Sequence, residues 1–457
     1  MKSAPLVFLV VMLGLNLLNY IDRYILSSNL PAIGRELIDG RPAFAGWEDS
    51  LKGILASAFM LSFMLSAPVF GWLSARMSRT KLIALGAATW SIACGLGGFS
   101  GQVEAYSRGS ALAWTAGPDS GFVSALLGGF GFLLLTRCLV GVGEGAYGPA
   151  APAILSDLFE EKQRGWVIGC FYIAIPVGGA LGYIFGGHLG WPDSFFWVVP
   201  PGLLLALWCW MLVDPASKKL QEMGSDVSPS RENQAGKGLL ADYWRLLQCR
   251  TYLLNVIAYT ACTFVVGGIA VWLPTYVIEN RQAASSETGN QWIGGITVLG
   301  GLLATTCGTW LAEWLSGKVR GSHMVVCGLG MLMGFPALIA VTYVPFPSAW
   351  WFVFLAIFGF FLCTGPSNTV LLNVCPARLR APAMALCILL IHALGDTISP
   401  TIIGLISDRS AGGLDTAFKA ISVLALLSGL VWLSAASTQE ADVAKAREED
   451  RLKLAEV

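Results

Sequence analysis

Four ionisable side chains stand inside otherwise apolar runs. Asp22 and Arg23 are neighbours in "NLLNYIDRYILSSNLP", Asn16 to Pro31, and Arg137 and Glu144 share "RCLVGVGEGAYGPAAP", Arg137 to Pro152. A charge at hydrocarbon depth costs about 2.5–3.5 kcal/mol on insertion scales, so such residues mark ion paths and relays. Seven residues are two helical turns, which puts Arg137 and Glu144 on one face about 10 Å apart. The four charges sum to zero, so each can offset the desolvation of another. A carboxylate among arginines stays ionised, and moving the arginine away or drying the surroundings favours protonation. A conformational change in those distances would load or unload a proton, and protonation would in turn bias the two states. Either carboxylate could be the carrier, and the set could titrate as one. The alternative is a salt-bridge cluster that fixes helix packing, with Arg23 stretched toward the outer interface.

Composition says what must position them. Hydrophobic residues make up 55% of the 457 and charged residues 13%, about half the charged share of a soluble domain. That is too little polar surface for a body in water, so the chain reads as an integral membrane protein. The net charge of zero says nothing about nucleic acid, but no basic domain exists, and no nucleic-acid partner is expected. At about 20 apolar residues per crossing, twelve segments qualify: 6–29, 51–75, 81–100, 121–146, 164–187, 194–213, 252–279, 291–315, 322–344, 349–373, 383–407 and 415–436. The first is too long for a signal peptide's apolar region of about 7–15 residues and lacks a small-residue cleavage site, so it reads as a retained helix.

The fold class expected is therefore an all-α membrane protein of twelve transmembrane helices in two pseudo-symmetric six-helix halves. Residues 1–213 form the first half, 214–250 a flexible cytoplasmic linker, 251–436 the second half and 437–457 a charged tail, a solvated helix or disordered. "GWLSARMSRTK", Gly71 to Lys81, and "GTWLAEWLSGKVRG", Gly308 to Gly321, occupy matching places in the halves. Two matched halves around a linker is the layout of a transporter that rocks about a central site. Lys and Arg number about 20 on the loops shared with the termini against about 7 opposite, which puts both termini in the cytoplasm of a cell (inner) membrane.

The remaining candidates are weaker. His392 and Asp396, four apart in "IHALGDTISP", share a helix face and make a second polar contact or a packing hydrogen bond. Small residues in "AIPVGGALGYIFGGHLG" suit close helix contact. Trp47, Trp114 and Trp191 suit an interfacial belt, and Glu279 and Arg281 a solvated helix end. The 11 cysteines form no C-x-x-C pair and read as packing residues. His188, His323 and His392 have no ligand-like spacing, so neither a metal nor a cofactor is expected. "GVGEGAYG" is not a nucleotide fingerprint, and no Walker A or nucleophile elbow occurs.

"GWLSARMSR" resembles the loop between helices two and three of the major facilitator superfamily. Gly71, Leu73, Arg76 and Arg79 match, whereas Ala75 and Ser78 stand where that family has Asp and Gly. The resemblance implies an inner gating loop at Gly71, Arg76 and Arg79 whose charge relay is incomplete. "NYIDRYILSSNLPAI", "RCLVGVGEGAYGPAAPAILSDLF", "FYIAIPVGGALGYIFGG" and "IHALGDTISPTIIGLISDR" resemble the Spinster (Spns) family, over nearly the whole chain. That resemblance implies lipid-like substrates such as lysophospholipids or sphingosine phosphate. It also implies Asp22 and Glu144 as proton-coupling acids, with Arg23 and Arg137 as their charge partners or substrate ligands. "GQVEAYSRGSALAWTAGPDS" is a longer outer loop than the family's and could cap the cavity mouth or be a harmless insertion.

The function expected is proton-coupled secondary transport of an amphipathic anion by a monomer, with protons and membrane lipid as its other partners. The rival is a symporter of hydrophilic organic anions such as sugar acids. A membrane-embedded lipid-modifying enzyme lacks the nucleophile or metal cluster it would need.

Overall fold

Apolar runs of this length, deprived of water, must satisfy their backbone within the segment, and helices do that. A computed structural model describes residues 3–74, 76–109, 127–148, 150–214 and 239–455. Among them twelve helices are long and apolar enough to cross a membrane. These are α1 (Pro5–Leu37), α2 (Glu48–Ser74), α3 (Arg79–Gly97), α4 (Gly129–Leu158), α5 (Trp166–Leu189), α6 (Asp193–Met211), α7 (Arg250–Asn280), α8 (Ser286–Leu315), α9 (Ser322–Tyr343), α10 (Ala349–Asn373), α11 (Pro382–Arg409) and α12 (Gly413–Leu452). Ala75, Trp114, Lys218, Lys219 and most of the linker lie outside the described residues.

The spans lie where hydropathy puts them, except that α1, α4 and α12 run on, α4 to Leu158. α1 runs past Pro31 to Leu37, and Asn290 Nδ2 donates to the Ser28 carbonyl in the turn just before that proline. α12 is the first part of one helix, Gly413–Ala455, so the described part of the tail is helical, one of the two states expected for it.

The chain groups into two units, Met1–Val227 with Ala270–Gly295 and Pro400–Arg409, and Ser228–Ile269 with Ile296–Ser399 and Ser410–Val457. In the first unit α1 lies along α5, α4 lies against α2 and α3, and α6 lies on α3. Small residues set these contacts: a Cβ on Gly178 would stand 2.7 Å from Tyr20 Cβ, and one on Gly182 2.7 Å from the Ile21 carbonyl. The small-residue stripe of α5 is thus a packing surface for α1.

At the end of this unit away from the N-terminus, charges lock α2 in place. Asp408 accepts from the backbone N–H groups of Asp49 (2.9 Å) and Ser50 (2.8 Å), capping α2 where its free N–H groups point. Lys52, 5% exposed, lies 2.9 Å from Asp39 and 3.3 Å from Asp49. Glu279 pairs with Arg35 at 2.7 Å, so it is engaged rather than merely solvated. The start of the long outer loop is a helix, Ser100–Gly109, tied down by Glu104, which pairs with Arg41 at 2.8 Å and accepts from Gly129 N at 2.9 Å. Residues 110–126 of that loop are outside the described residues.

In the second unit α9 packs on α10 and α12. The helical tail then caps its neighbours. Asp442 accepts from Thr251 N at 3.0 Å at the start of α7, and Asp450 accepts from Ala377 N at 3.0 Å. Glu449 pairs with Arg245 on the amphipathic helix Leu239–Gln248 and lies 3.9 Å from Arg378. Burial pushes the nearby Cys249 and Cys375 thiols up to about 11 and about 12, which leaves them protonated and unreactive at neutral pH. Removing a cap of this kind costs about 0.5–2 kcal/mol. Asp442→Ala is therefore expected to lower the melting temperature in detergent by a few degrees, whereas Glu448→Ala, on the exposed side of the same helix, leaves it unchanged.

Candidate functional site

α1 presents Asn16, Asn19, Tyr20 and Arg23 along one face, and α4 presents Glu144. Arg23 Nη2 and Nε donate to Glu144 Oε2 at 2.7 and 3.0 Å. The Arg23 side chain is 20% exposed and that of Glu144 fully enclosed, so the arginine is the member a solute can reach. Three rings surround its guanidinium, with centroids 4.8 Å (Tyr20), 5.1 Å (Phe59) and 5.4 Å (Phe63) away. Such stacking holds a planar cation while keeping its charge. Arg23 therefore does not stretch to the interface: an enclosed carboxylate and three aromatic faces hold it in the bundle.

A cavity of about 120 Å³ opens beside the pair, bordered by Asn16, Asn19, Phe63, Tyr147 and Tyr172. Two of its polar groups are already committed, Asn16 Nδ2 to the Phe171 carbonyl at 2.7 Å and Tyr147 Oη to the Met12 carbonyl at 2.7 Å. The Asn19 amide stands at its edge beside the Glu144 carboxylate.

Asp22 lies deeper. It is fully buried, neither carboxylate oxygen meets a donor, and it is within electrostatic range of Glu144 and Arg137. Arg137, 1% exposed, sits over the Phe195 ring at 5.4 Å, with Nε and Nη2 unbonded. All four charges meet in one unit, but unequally. Arg23 and Glu144 form a bonded pair at a cavity, while Asp22 and Arg137 are enclosed behind it.

The glycines of "GVGEG" make this possible. A Cβ on Gly143 would stand 2.7 Å from the Gly86 carbonyl and 2.7 Å from Trp90 N, and Gly141 faces Phe59 and Ser62 of α2. The room these glycines leave is taken by α3 and α2, not by a ligand. α4 is thereby clamped with Glu144 facing α1.

At the loop between α2 and α3, Arg79 pairs with Asp157 at 2.7 Å and Asp214 at 2.9 Å, and its backbone N–H donates to Asp214 at 2.7 Å. With Ala75 in place of the family's Asp, these two acids supply the charge network. Arg76 stacks on Trp72 at 3.9 Å, and Gly71 faces open space. In the second unit His392 and Asp396 are joined at 2.9 Å on a π-helical turn, His392–Asp396. Sequence reasoning passed over Tyr20, Phe59, Phe63, Asp157 and Asp214. Tyr20 lies three before Arg23, and Phe59 and Phe63 are four apart, a spacing that puts two rings on one helix face. Nothing local in the sequence ties Asp157 and Asp214 to Arg79.

Comparison with known proteins agrees with this architecture. The Major Facilitator Superfamily profile matches residues 12–400, which makes the chain a member of a class of membrane transporters rather than of enzymes. "Protein spinster homolog 1" of Homo sapiens is 31% identical over 87% of this chain and 72% of its own length. "Protein spinster" of Drosophila melanogaster is 30% identical over 91% of this chain, which spans 65% of the fly protein. "Sphingosine-1-phosphate transporter SPNS2" of Danio rerio is 29% identical over 86% of this chain and 74% of its own. Within that superfamily, the chain belongs to the Spinster family. Its fold matches the crystal structure of a bacterial homolog of the human lysosomal transporter Spinster, with a TM-score of 0.76, 19% identity and coverage of 97% of this chain and 99% of the other. A D-xylose-proton symporter matches at a TM-score of 0.70, 18% identity and coverage of 94% and 97%.

The packing at Gly143 gives a direct test. Added volume between two helix backbones costs about 1–3 kcal/mol or more. Gly143→Val is expected to reduce the yield of monodisperse protein and lower its melting temperature, whereas Gly71→Ala, with open space around it, is expected to change neither.

Proposed function

We propose that this protein is a proton-coupled secondary transporter of an amphipathic anion of the lysolipid type, a lysophospholipid or a sphingoid phosphate. The observation that carries the reading is the Arg23–Glu144 pair, a caged guanidinium presented to a cavity by an enclosed carboxylate. An anionic head group would compete with Glu144 for the planar donor fork of Arg23. Glu144, released from Arg23, would lose its partner in a dry site and take a proton. Asp22 is the second acid of the set, since an enclosed carboxylate that meets no donor is costly to keep charged, and Arg137 is its partner. The two six-helix halves, residues 1–213 and 251–436, would alternate access about this site, with the linker 214–250 and the tail 437–457 on the cytoplasmic side, where the Lys and Arg bias puts them. In this scheme Gly71, Arg76 and Arg79 form the inner gate, the Arg79 ion pairs being its latch, and His392 and Asp396 are a secondary polar pair. The relative named for sphingosine-1-phosphate transport supports a substrate of this kind.

A second reading, a symporter of small hydrophilic organic anions, draws support from the Asn19 amide at the cavity. Melting-temperature shifts in detergent with lysolipids and with gluconate-like acids, at two pH values, separate the readings, because a ligand that binds the folded state raises its melting temperature. Lysolipids alone are expected to stabilise.

Two further outcomes are expected in proteoliposomes. A pH gradient drives uptake by the wild type, and Glu144→Gln removes the gradient dependence. Coupling that persists unchanged in both Asp22→Asn and Glu144→Gln would overturn the proposal. Arg23→Lys keeps the charge but loses the planar fork, and is expected to weaken substrate affinity by about tenfold.

A further inference from the structure

The face of α1 opposite Arg23 carries a groove of a different kind. It is bordered by Leu17, Leu18, Ile21 and Ile25 of α1, Phe185 and Leu189 of α5, and Trp197, Val198, Pro201 and Leu205 of α6, and its volume is about 410 Å³. Every residue lining it belongs to the first unit. Its one polar lining residue, Ser194, is itself buried and accepts a hydrogen bond from Asn29 at 3.0 Å. The groove thus offers nothing to a polar ligand. Its floor is sealed, with Leu18, Ile21, Ile25 and Val198 each under 8% exposed, while its rim residues Phe185 (43%) and Trp197 (66%) are open.

These rim residues continue directly into the lipid-facing surface of α6, where Leu203, Leu204 and Leu207 are exposed. The groove is therefore continuous with the contact surface that a twelve-span protein makes with the bilayer. From Ser194 to Leu205 is eleven residues of helix, about 16 Å, which is half of a hydrocarbon core about 30 Å thick. Leu205 leans on α1 at Gly14, where a Cβ would stand 3.2 Å from its side chain, and closes the inner end. The cleft runs about half the depth of a hydrocarbon core and has no free polar group in its lining. Left empty, its walls would forfeit their dispersion contacts, and at that depth no water is available to fill it.

We propose that this groove is a resident-lipid site, occupied by a single acyl chain of a bilayer phospholipid. It lies back to back with the Arg23 cavity across α1 and is independent of the transported substrate. The chain it holds braces the helix that carries Asp22 and Arg23.

The test uses the full-length protein in phosphatidylcholine nanodiscs containing a phospholipid with a diazirine at mid-depth of one acyl chain. After irradiation, labelled residues are located by peptide mass spectrometry. Labelling at Leu18, Ile21, Ile25, Val198 and Leu205 is expected to exceed that at the exposed Leu204 and Leu207 by about tenfold. Val198→Phe and Leu205→Trp, which fill the groove at different depths, are each expected to abolish the excess and leave labelling elsewhere unchanged. Equal labelling of groove and outer face in the wild type alone would reduce the site to ordinary annular lipid and overturn the proposal, as would an excess that survives both fillers.

Discussion

The Arg23–Glu144 ion pair is the contact on which the first unit depends. A lone guanidinium or carboxylate at that depth in hydrocarbon would cost several kcal/mol. Burying the two together is tolerable only if the geometry is good and the remaining polar atoms are served. Here two donors of one arginine meet one carboxylate oxygen, and three aromatic rings take the faces of the cation. That requirement fixes how α1 and α4 are rotated about their axes, because either helix turned by one residue would strand a charge.

Helix packing is subordinate to the same demand. α4 must bring Glu144 to α1 while being held by α2 and α3, and a side chain with a Cβ at Gly141 or Gly143 would push those helices away. The glycine run looks like room for a ligand and serves as a seat for two backbones. In α5, small residues let α1 approach closely from the other side. Between these seats α1 shows one face to the polar cavity at Arg23 and the other to an apolar groove.

The ends of the bundle use a shared device, an acid placed against free backbone N–H groups at the start of another helix. Asp408 does this for α2, and Asp442 for α7. Helix starts carry partial positive charge and unbonded donors, so an acid there both satisfies hydrogen bonds and stabilises charge. Arg79 binds Asp157 of α4 and Asp214 just past the end of α6, a network that replaces the acid absent at Ala75. None of these partners is near the other in sequence, which is why a charged tail read as solvated and a relay read as incomplete.

The sequence by itself determined the twelve spans and the membrane setting and singled out four charges inside apolar runs, because hydropathy, helix length and the cost of a buried charge are local properties of residues in hydrocarbon. It also carried the family likeness in "NYIDR" and "RCLVGVGEGAYG". The tertiary structure alone decided how those charges sort. Adjacent in the chain, Asp22 and Arg23 point about 100° apart around their helix, so one meets Glu144 at a cavity while the other is sealed in with Arg137. Which acid is bonded, and which ring cages the cation, depends on the rotation and approach of helices more than a hundred residues apart, and no local pattern encodes that.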